Sequence, residues 1–414
     1  MTTVAVLGGG MVGVCCALEL QRRGMTVTLI DRREPGQETS YGNSGVLARS
    51  SLMPMNNPGL WKALPKLLSN RTTSLRYHLP FLLKNIRWTA GFLARARGRA
   101  FQETTTALDA LIRLSIDEHL SLMAQAGALP RLRDNGWLML YRSEAGFDAA
   151  AMGRACYASY GVRSEILDPG ALAEMEPSLS PIFHRALWIK DAHSVDNPSA
   201  LVAAYAQLFA DRGGVIRRSD LRDVIPDGSG WSVTDTDGSR HQTDRVVVAL
   251  GPWAPEFMSR IGIHVPMGFE RGYHMHYGAE GNATLARPIY DTAGGYVLSP
   301  MEQGLRLTTG VELTDRDAPR NLSQLTSATS AARQAFPLGA ALDPAPWMGR
   351  RPTLPDSRPI IGEAPGRSGL WLAFGHQHIG FSTGPGTASI LADLMTEAAP
   401  AIDPAPFRPG RFLH

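Results

Sequence analysis

The sequence predicts an α/β protein of two parts, one wound on a parallel sheet and the other an α+β domain with a mainly antiparallel sheet. Three observations predict it. The chain opens with an apolar strand that runs through a glycine-rich turn into a helix. Strand-like runs then appear at residues 137–141, 187–189, 272–277, 296–298 and 305–311, with helical pattern at 102–126 and 199–212. The 414 residues, 44% hydrophobic, suffice for roughly two or three domains with sizeable cores.

In order, residues 4–7 (Val-Ala-Val-Leu) form a buried-strand pattern, followed by Gly8-Gly9-Gly10-Met11-Val12-Gly13 and a helical run over 15–23 closed by Gly24. Gly8 permits the turn, Gly10 lets backbone approach a pyrophosphate, and Gly13 lets the helix pack on the strand. The helix N-terminus offers free N–H groups to phosphate. A second strand, 27–30, ends in Asp31, 18 residues past Gly13, where a carboxylate can accept hydrogen bonds from an adenosine ribose. This is a Rossmann-like unit. By itself it does not choose between NAD and FAD.

Composition narrows the setting. Cys15, Cys16 and Cys156 are the three cysteines, two of them neighbours on a helix, so no disulfide framework is expected and a reducing, cytoplasmic setting fits. No signal-peptide pattern or membrane-spanning run is apparent. Net charge is +3, yet residues 39–102 hold no Asp or Glu while Arg49, Lys62, Lys66, Arg71, Arg76, Lys84, Arg87, Arg95, Arg97 and Arg99 are basic. Trp61, Leu64, Leu67, Leu68, Phe81, Leu82, Ile86, Trp88 and Phe92 interleave with them. Two readings stay open: an amphipathic element on the inner face of an anionic membrane, near a quinone, or an apolar core with a solvated basic face. Nothing resembles a nucleic-acid module.

Four further segments carry a resemblance. Residues 38–47 (Glu-Thr-Ser-Tyr-Gly-Asn-Ser-Gly-Val-Leu) are small and hydrogen-bonding; 246–254 end a strand at Gly251 and reach Trp253. Residues 347–362 contain Arg351-Pro352-Thr353-Leu354-Pro355-Asp356-Ser357-Arg358-Pro359-Ile360-Ile361-Gly362, and 373–382 contain Gly375-His376-Gln377-His378-Ile379-Gly380. In this order they closely resemble the D-amino-acid oxidase and dehydrogenase family, which includes glycine and sarcosine oxidases. The residues Glu270-Arg271-Gly272-Tyr273-His274 and Arg411-Phe412 look most like bacterial D-amino-acid or D-hydroxyproline dehydrogenases.

The resemblance implies FAD, held on a glutathione-reductase type domain, with a substrate cap. The implied cofactor contacts are Gly8, Gly10, Met11, Val12, Gly13, Asp31, Arg32, Thr39, Ser40, Asn43, Ser44, Gly45, Val46, Leu47, Leu221, Gly251, Trp253, Arg351, Gln377, His378, Ile379, Gly380, Phe381 and Ser382. Because these are scattered, the FAD-binding domain is expected from 1–50, 190–260 and 340–414, and the cap from 51–189 and 261–339. A last helix is expected over 386–395, its preceding loop stabilising negative charge at the flavin.

The implied reaction is oxidation of a small amino acid, with hydride leaving Cα for flavin N5. A D-amino acid or D-proline/hydroxyproline type is expected, with electrons passing to a quinone or other acceptor. O2, as in a glycine or sarcosine oxidase, is an alternative; a flavin-bearing binding or electron-transfer subunit is another. Such chemistry needs a carboxylate clamp more than an acid or base, and a guanidinium clamps bidentately. Arg351 matches the family's clamp; Arg350 competes, and Arg358 could pair with Asp356. Tyr296 matches a tyrosine whose hydroxyl meets the carboxylate. Tyr273, His276 and His376 are further substrate candidates; alternation places His274 and His276 on one strand face and Tyr273 on the other. The His-x-His pairs 274/276 and 376/378 lack companions, so no metal site is expected.

Overall fold

A computed structural model describes residues 1–70 and 72–413. Its first sheet has six strands in the order Val215–Arg218, Thr26–Asp31, Thr3–Leu7, Arg245–Val248, Leu370–Phe374 and Ile360–Glu363. All pair in parallel except the last, which is antiparallel. Strand alternation assigns the two faces. Val4 and Val6 pack on the helices Met11–Arg22, Pro198–Asp211 and Gly380–Met395. Ala5 and Leu7 pack toward a three-stranded antiparallel sheet, Leu221–Asp227, Gly230–Asp235 and Arg240–Thr243, through Val224, Trp231 and Val233.

The cap is built on an eleven-stranded sheet running Leu75–Tyr77, Val311–Leu313, Gly268–Ala279, Gly304–Thr309, Tyr296–Met301, Ile289–Asp291, Trp137–Tyr141, Arg185–Ile189 and Ser164–Leu167. Leu338–Ala341 and Trp347–Thr353 also pair with the long Gly268–Ala279 strand. Among the described residues only two pairings in it are parallel, so the sheet is mainly antiparallel. One face is covered by the helix Ser323–Ala335, whose Leu325, Ala328 and Ala332 meet Tyr273, Tyr277, Leu298 and Leu307. A small sheet of Val46–Ala48, Ala192–Val195 and Leu132–Arg133 lies apart from both.

Three expectations shift. Trp347–Thr353 belongs to the cap sheet although it falls inside the 340–414 segment, because its backbone pairs with seven residues of Gly268–Ala279. The helix Gly98–Gln125 lies within 51–189 yet shares a core with Met11–Arg22 and Gly380–Met395 through Ala107, Leu111 and Met123. The last helix begins at Gly380, earlier than the expected 386, and carries Pro385 inside it.

The basic segment divides between its two readings. Phe81, Trp88 and Phe92 are core, packed with Val311 and Leu313. Trp61, Leu68, Leu79, Leu83 and Ile86 are exposed on or beside the helices Gly59–Leu68, Leu79–Lys84 and Ile86–Ala94. Arg71 lies outside the described residues. Among the described residues no helix is long and apolar enough to cross a membrane.

Candidate active site

A cavity of about 1040 Å³ lies where the carboxyl ends of the parallel strands meet the open face of the cap sheet. At its nucleotide end the wall includes the glycines of the first turn. Gly8 has φ +111°, and a Cβ there would lie 2.4 Å from the carbonyl oxygen of Ala249. A Cβ on Gly10 would lie 3.4 Å from Ser40 Oγ, an ordinary contact; that hydroxyl accepts the Met11 N–H at 3.0 Å. Asp31, at the end of the second strand, accepts the N–H of Gly9 at 2.6 Å and of Arg33 at 2.8 Å. Burial raises its pKa, and these two bonds oppose the rise. The Arg32 guanidinium lies 4.2 Å over the Trp253 ring and bonds Glu38. Leu221 reaches the cavity from the three-stranded sheet together with Ser219, Asp220 and Arg222.

Most of the implied cofactor contacts line this cavity: Gly8, Gly10, Met11, Val12, Asp31, Arg32, Thr39, Ser40, Asn43, Ser44, Val46, Leu221, Gly251, Trp253, Arg351 and 377–382. Gly13, Gly45 and Leu47 do not. A Cβ on Gly13 would sit 1.8 Å from the Gly8 carbonyl oxygen, so its place is the helix–strand contact behind the turn. Gly45, at φ +75°, turns the chain away against Val195, and Leu47 is core. Gln377 holds φ +51° while donating its N–H to the Pro352 carbonyl at 2.8 Å, which presents the next residues to the cavity at the start of the last helix.

At the cap end the walls are side chains chosen by strand parity. Cross-strand pairing puts Trp347, His274, Thr308, Val297, Tyr290 and Met139 in one row across six strands. All but His274 line the cavity. His274 stacks on Trp347, 4.9 Å between ring centroids. Two same-face steps along, Glu270 faces Arg351, and Gly272 between leaves space for the Arg351 guanidinium, since a Cβ there would lie 2.6 Å from Nη2. Arg351 donates to the Gly310 carbonyl at 3.3 Å and makes no ion pair among the described residues. Burial lowers its pKa, against the pull of Glu270, and burial also raises that of Glu270, whose Oε1 accepts the Thr353 hydroxyl at 2.7 Å.

The same parity disposes of the competitors. Arg350 pairs with Arg271 on the opposite face, bonding the Arg316 carbonyl and Asp317. Arg358 and Arg411 both pair with Asp356. Tyr296 does not line the cavity: its neighbour Val297 does, so Tyr296 points into the cap core near Arg142 and Asp291. Tyr273 borders the cavity beside Gly272, but its hydroxyl donates to Glu312 at 2.8 Å within the core. His276 is buried outside the cavity, between Asp343 and Arg306. His376 does line it, with Nε2 3.0 Å from Thr387 Oγ1. Burial holds His376 down at about 3; desolvation at the cavity wall and the Arg351 guanidinium lower the pKa of His378, whose side chain is nonetheless exposed. Tyr290 is pushed up to about 12 by burial.

Sequence reasoning missed Tyr290, Thr308 and Met139. Tyr290 stands six residues before Tyr296, and pairing with Val297 is the signal that selects it. Thr308 Oγ1 is buried with no hydrogen-bond partner, and Thr308 alone among such described side chains lines the cavity. Nothing in the sequence marks it.

A glycine-shaped nucleotide cradle opening on a capped chamber with a buried guanidinium defines an oxidoreductase built around a dinucleotide cofactor. The chain belongs to the FAD dependent oxidoreductase family, whose model matches residues 3–394. It is 31% identical to a D-amino-acid oxidase of Bradyrhizobium diazoefficiens over 99% of both chains. It is 29% identical to D-amino acid dehydrogenase 2 of Ralstonia nicotianae, over 99% of this chain and 100% of that one. Among solved structures, glycine oxidase from Geobacillus kaustophilus superposes with a TM-score of 0.75 at 23% identity, over 99% and 98% of the two chains. L-Proline dehydrogenase from P. horikoshii does so at 0.74 and 18%, over 99% and 97%. The protein is thus an FAD-dependent enzyme of amino-acid oxidation, and the cradle residues that would hold FAD fit it: no side chain obstructs Gly8 or Gly10, and Asp31 lines the cavity at the end of the second strand.

Proposed function

We propose that the protein dehydrogenates a small neutral D-amino acid, or a secondary amine of the D-proline or hydroxyproline type, at its Cα–N bond, with electrons passing to a quinone or similar acceptor. One observation carries the reading. Arg351 stands on the cavity face of the cap sheet with its fork unpaired, amid Trp347, Val297, Tyr290 and Met139. A substrate carboxylate would restore the ion pair that a buried guanidinium lacks.

Bound FAD supplies a two-electron acceptor for the Cα hydrogen and its electron pair. The chain's own groups bind and orient. Arg351 takes the carboxylate, the Tyr290 hydroxyl stays protonated and donates, and the unpartnered Thr308 hydroxyl meets a polar group of the substrate. His376, held down at about 3 by burial, stays neutral near neutrality and stores no proton there, and the substrate amine must arrive neutral. The oxidised product is an imine, which water then hydrolyses. The D configuration is supported by the names of the relatives.

The acceptor side is supported by the surface. Trp61, Leu68, Leu79, Leu83 and Ile86 are exposed beside Lys62, Lys84 and Arg87 in a segment without acidic residues. Such a face suits an anionic lipid surface, where quinones reside.

The test is an anaerobic visible spectrum of the holoprotein with D-proline, cis-4-hydroxy-D-proline, D-alanine and their L counterparts. Bleaching of the flavin by a D compound, reversed by a soluble quinone far faster than by air, is the expected result. Bleaching by L compounds alone would overturn the stereochemistry, and rapid reversal by air would make the protein an oxidase.

A further inference from the structure

The cofactor loop at residues 38–44 is pressed onto the cap sheet. A Cβ on Gly42 would lie 1.8 Å from the Trp347 ring, and the Tyr41 ring stands 5.6 Å from that of His274. Two carbonyls of the loop are held by one cap side chain. Arg306, in the strand Gly304–Thr309, donates from Nη1 to the carbonyls of Tyr41 at 2.8 Å and Asn43 at 2.6 Å. Arg306 is buried, and among the described residues no carboxylate pairs with it.

Its Nε–H goes instead to His276 Nε2 at 3.0 Å. A ring nitrogen that accepts carries no proton, so the His276 proton sits on Nδ1. That Nδ1–H is donated to Asp343 at 2.9 Å, and Asp343 also accepts the His276 backbone N–H at 2.7 Å. Asp343, His276 and Arg306 therefore form a directed relay ending on the backbone that lines the cofactor cavity at Gly42, Asn43 and Ser44.

We infer that this relay is a positioning device for the FAD loop, and that retention of FAD depends on His276 being neutral. A proton on Nε2 would remove the acceptor of Arg306 and set a second cation against it in a buried place. The charged and titratable groups facing His276 are Arg306, Asp343 and His274, whose ring centroid lies 5.2 Å away. Burial and Arg306 lower the His276 pKa, while Asp343 raises it. His276 and Arg306 do not line the cavity, so they act through the loop and touch no reacting atom. The inference rests on the FAD assignment and not on the substrate proposed above.

The test is titration of apoprotein with FAD from pH 8 to pH 5, followed by flavin fluorescence, with circular dichroism to check the fold. The wild type is expected to weaken about tenfold or more toward acid as the histidine charges. His276→Gln sets an acceptor where Nε2 stands and cannot titrate; it should match the wild type at pH 8 and hold a flat profile. His276→Asn keeps a donor toward Asp343 but offers Arg306 nothing, and should bind about tenfold more weakly at every pH. Asp343→Asn, at a partly exposed site, serves if the ring variants do not fold: removing the charge that favours the imidazolium should move the acid weakening to lower pH. An Asn variant binding like the wild type at pH 8, a Gln variant with the wild-type pH profile, or an unmoved Asp343→Asn profile would overturn the relay. A wild type that takes no FAD at any pH would overturn the cofactor assignment with it.

Discussion

The two ends of the cavity are made differently. At the nucleotide end the turn is shaped by glycines packed against backbone, whose missing side chains leave no slack: 1.8 Å from a Gly13 Cβ to the Gly8 carbonyl, 2.4 Å from a Gly8 Cβ to that of Ala249. At the cap end it is a row of side chains running across the strands of a sheet, Trp347, Thr308, Val297, Tyr290 and Met139, with Arg351 two same-face steps along. The first kind of site tolerates no addition, since the obstacle is backbone. The second tolerates exchange in shape and changes in specificity, because the sheet beneath it is held by other pairings. Damage at the nucleotide end should therefore remove the cofactor, and damage at the cap end should spare the cofactor and strike the substrate.

The largest effect expected is at Gly13. Gly13→Ala should give protein without bound flavin, read from the visible spectrum after purification; a yellow Gly13→Ala protein would break the comparison at once. Next is the pH profile. With His376 held at about 3 and Tyr290 pushed up to about 12, neither changes charge between about pH 5 and 10. Deprotonating the substrate amine raises its reactive fraction, so kcat/KM should climb about tenfold per pH unit below the amine pKa, with no descending limb in that range. A bell-shaped profile near neutrality would point to an enzyme base.

Arg351→Lys keeps the charge and loses the fork. It should lower kcat/KM by about 10²-fold, the worth of roughly two charge-assisted hydrogen bonds, while flavin content stays that of the wild type. Equal activity would move the clamp elsewhere. The smallest effect is the most diagnostic of parity. Tyr290→Phe should lower kcat/KM by about tenfold, and Tyr296→Phe should leave it unchanged while altering thermal stability alone, since its ring lies in the cap core. Steady-state kinetics beside a melting curve for both variants decides it; the reverse pattern would mean that the opposite strand face meets the substrate.

The amino-acid sequence by itself determined the nucleotide half. The fold of that half, the turn at Gly8 and Gly10 and the place of Asp31 follow from local rules: glycine is needed where φ is positive or backbone passes close, and an acidic residue ends the second strand. These constraints act over a few tens of residues, so they leave a readable motif. The loop at 38–47 and the turn before the last helix were legible through their resemblance to family motifs, although Gly45 and Leu47 turn out not to line the cavity.

The cap was legible as strands and hidden as a site. Arg351 and Arg350 are neighbours, as are Tyr296 and Val297, and composition treats each pair alike. A strand sends neighbours to opposite faces, so the choice between them depends on which face is open, and that is settled by the Ser323–Ala335 helix covering the other. His276 shows the point most plainly: its sequence neighbours suggested a substrate contact, whereas its partners, Asp343 and Arg306, are 67 and 30 residues away along the chain. Only tertiary structure decided those contacts, because side-chain chemistry across a sheet is set by register and by what packs behind it, and neither is written in any single stretch of sequence.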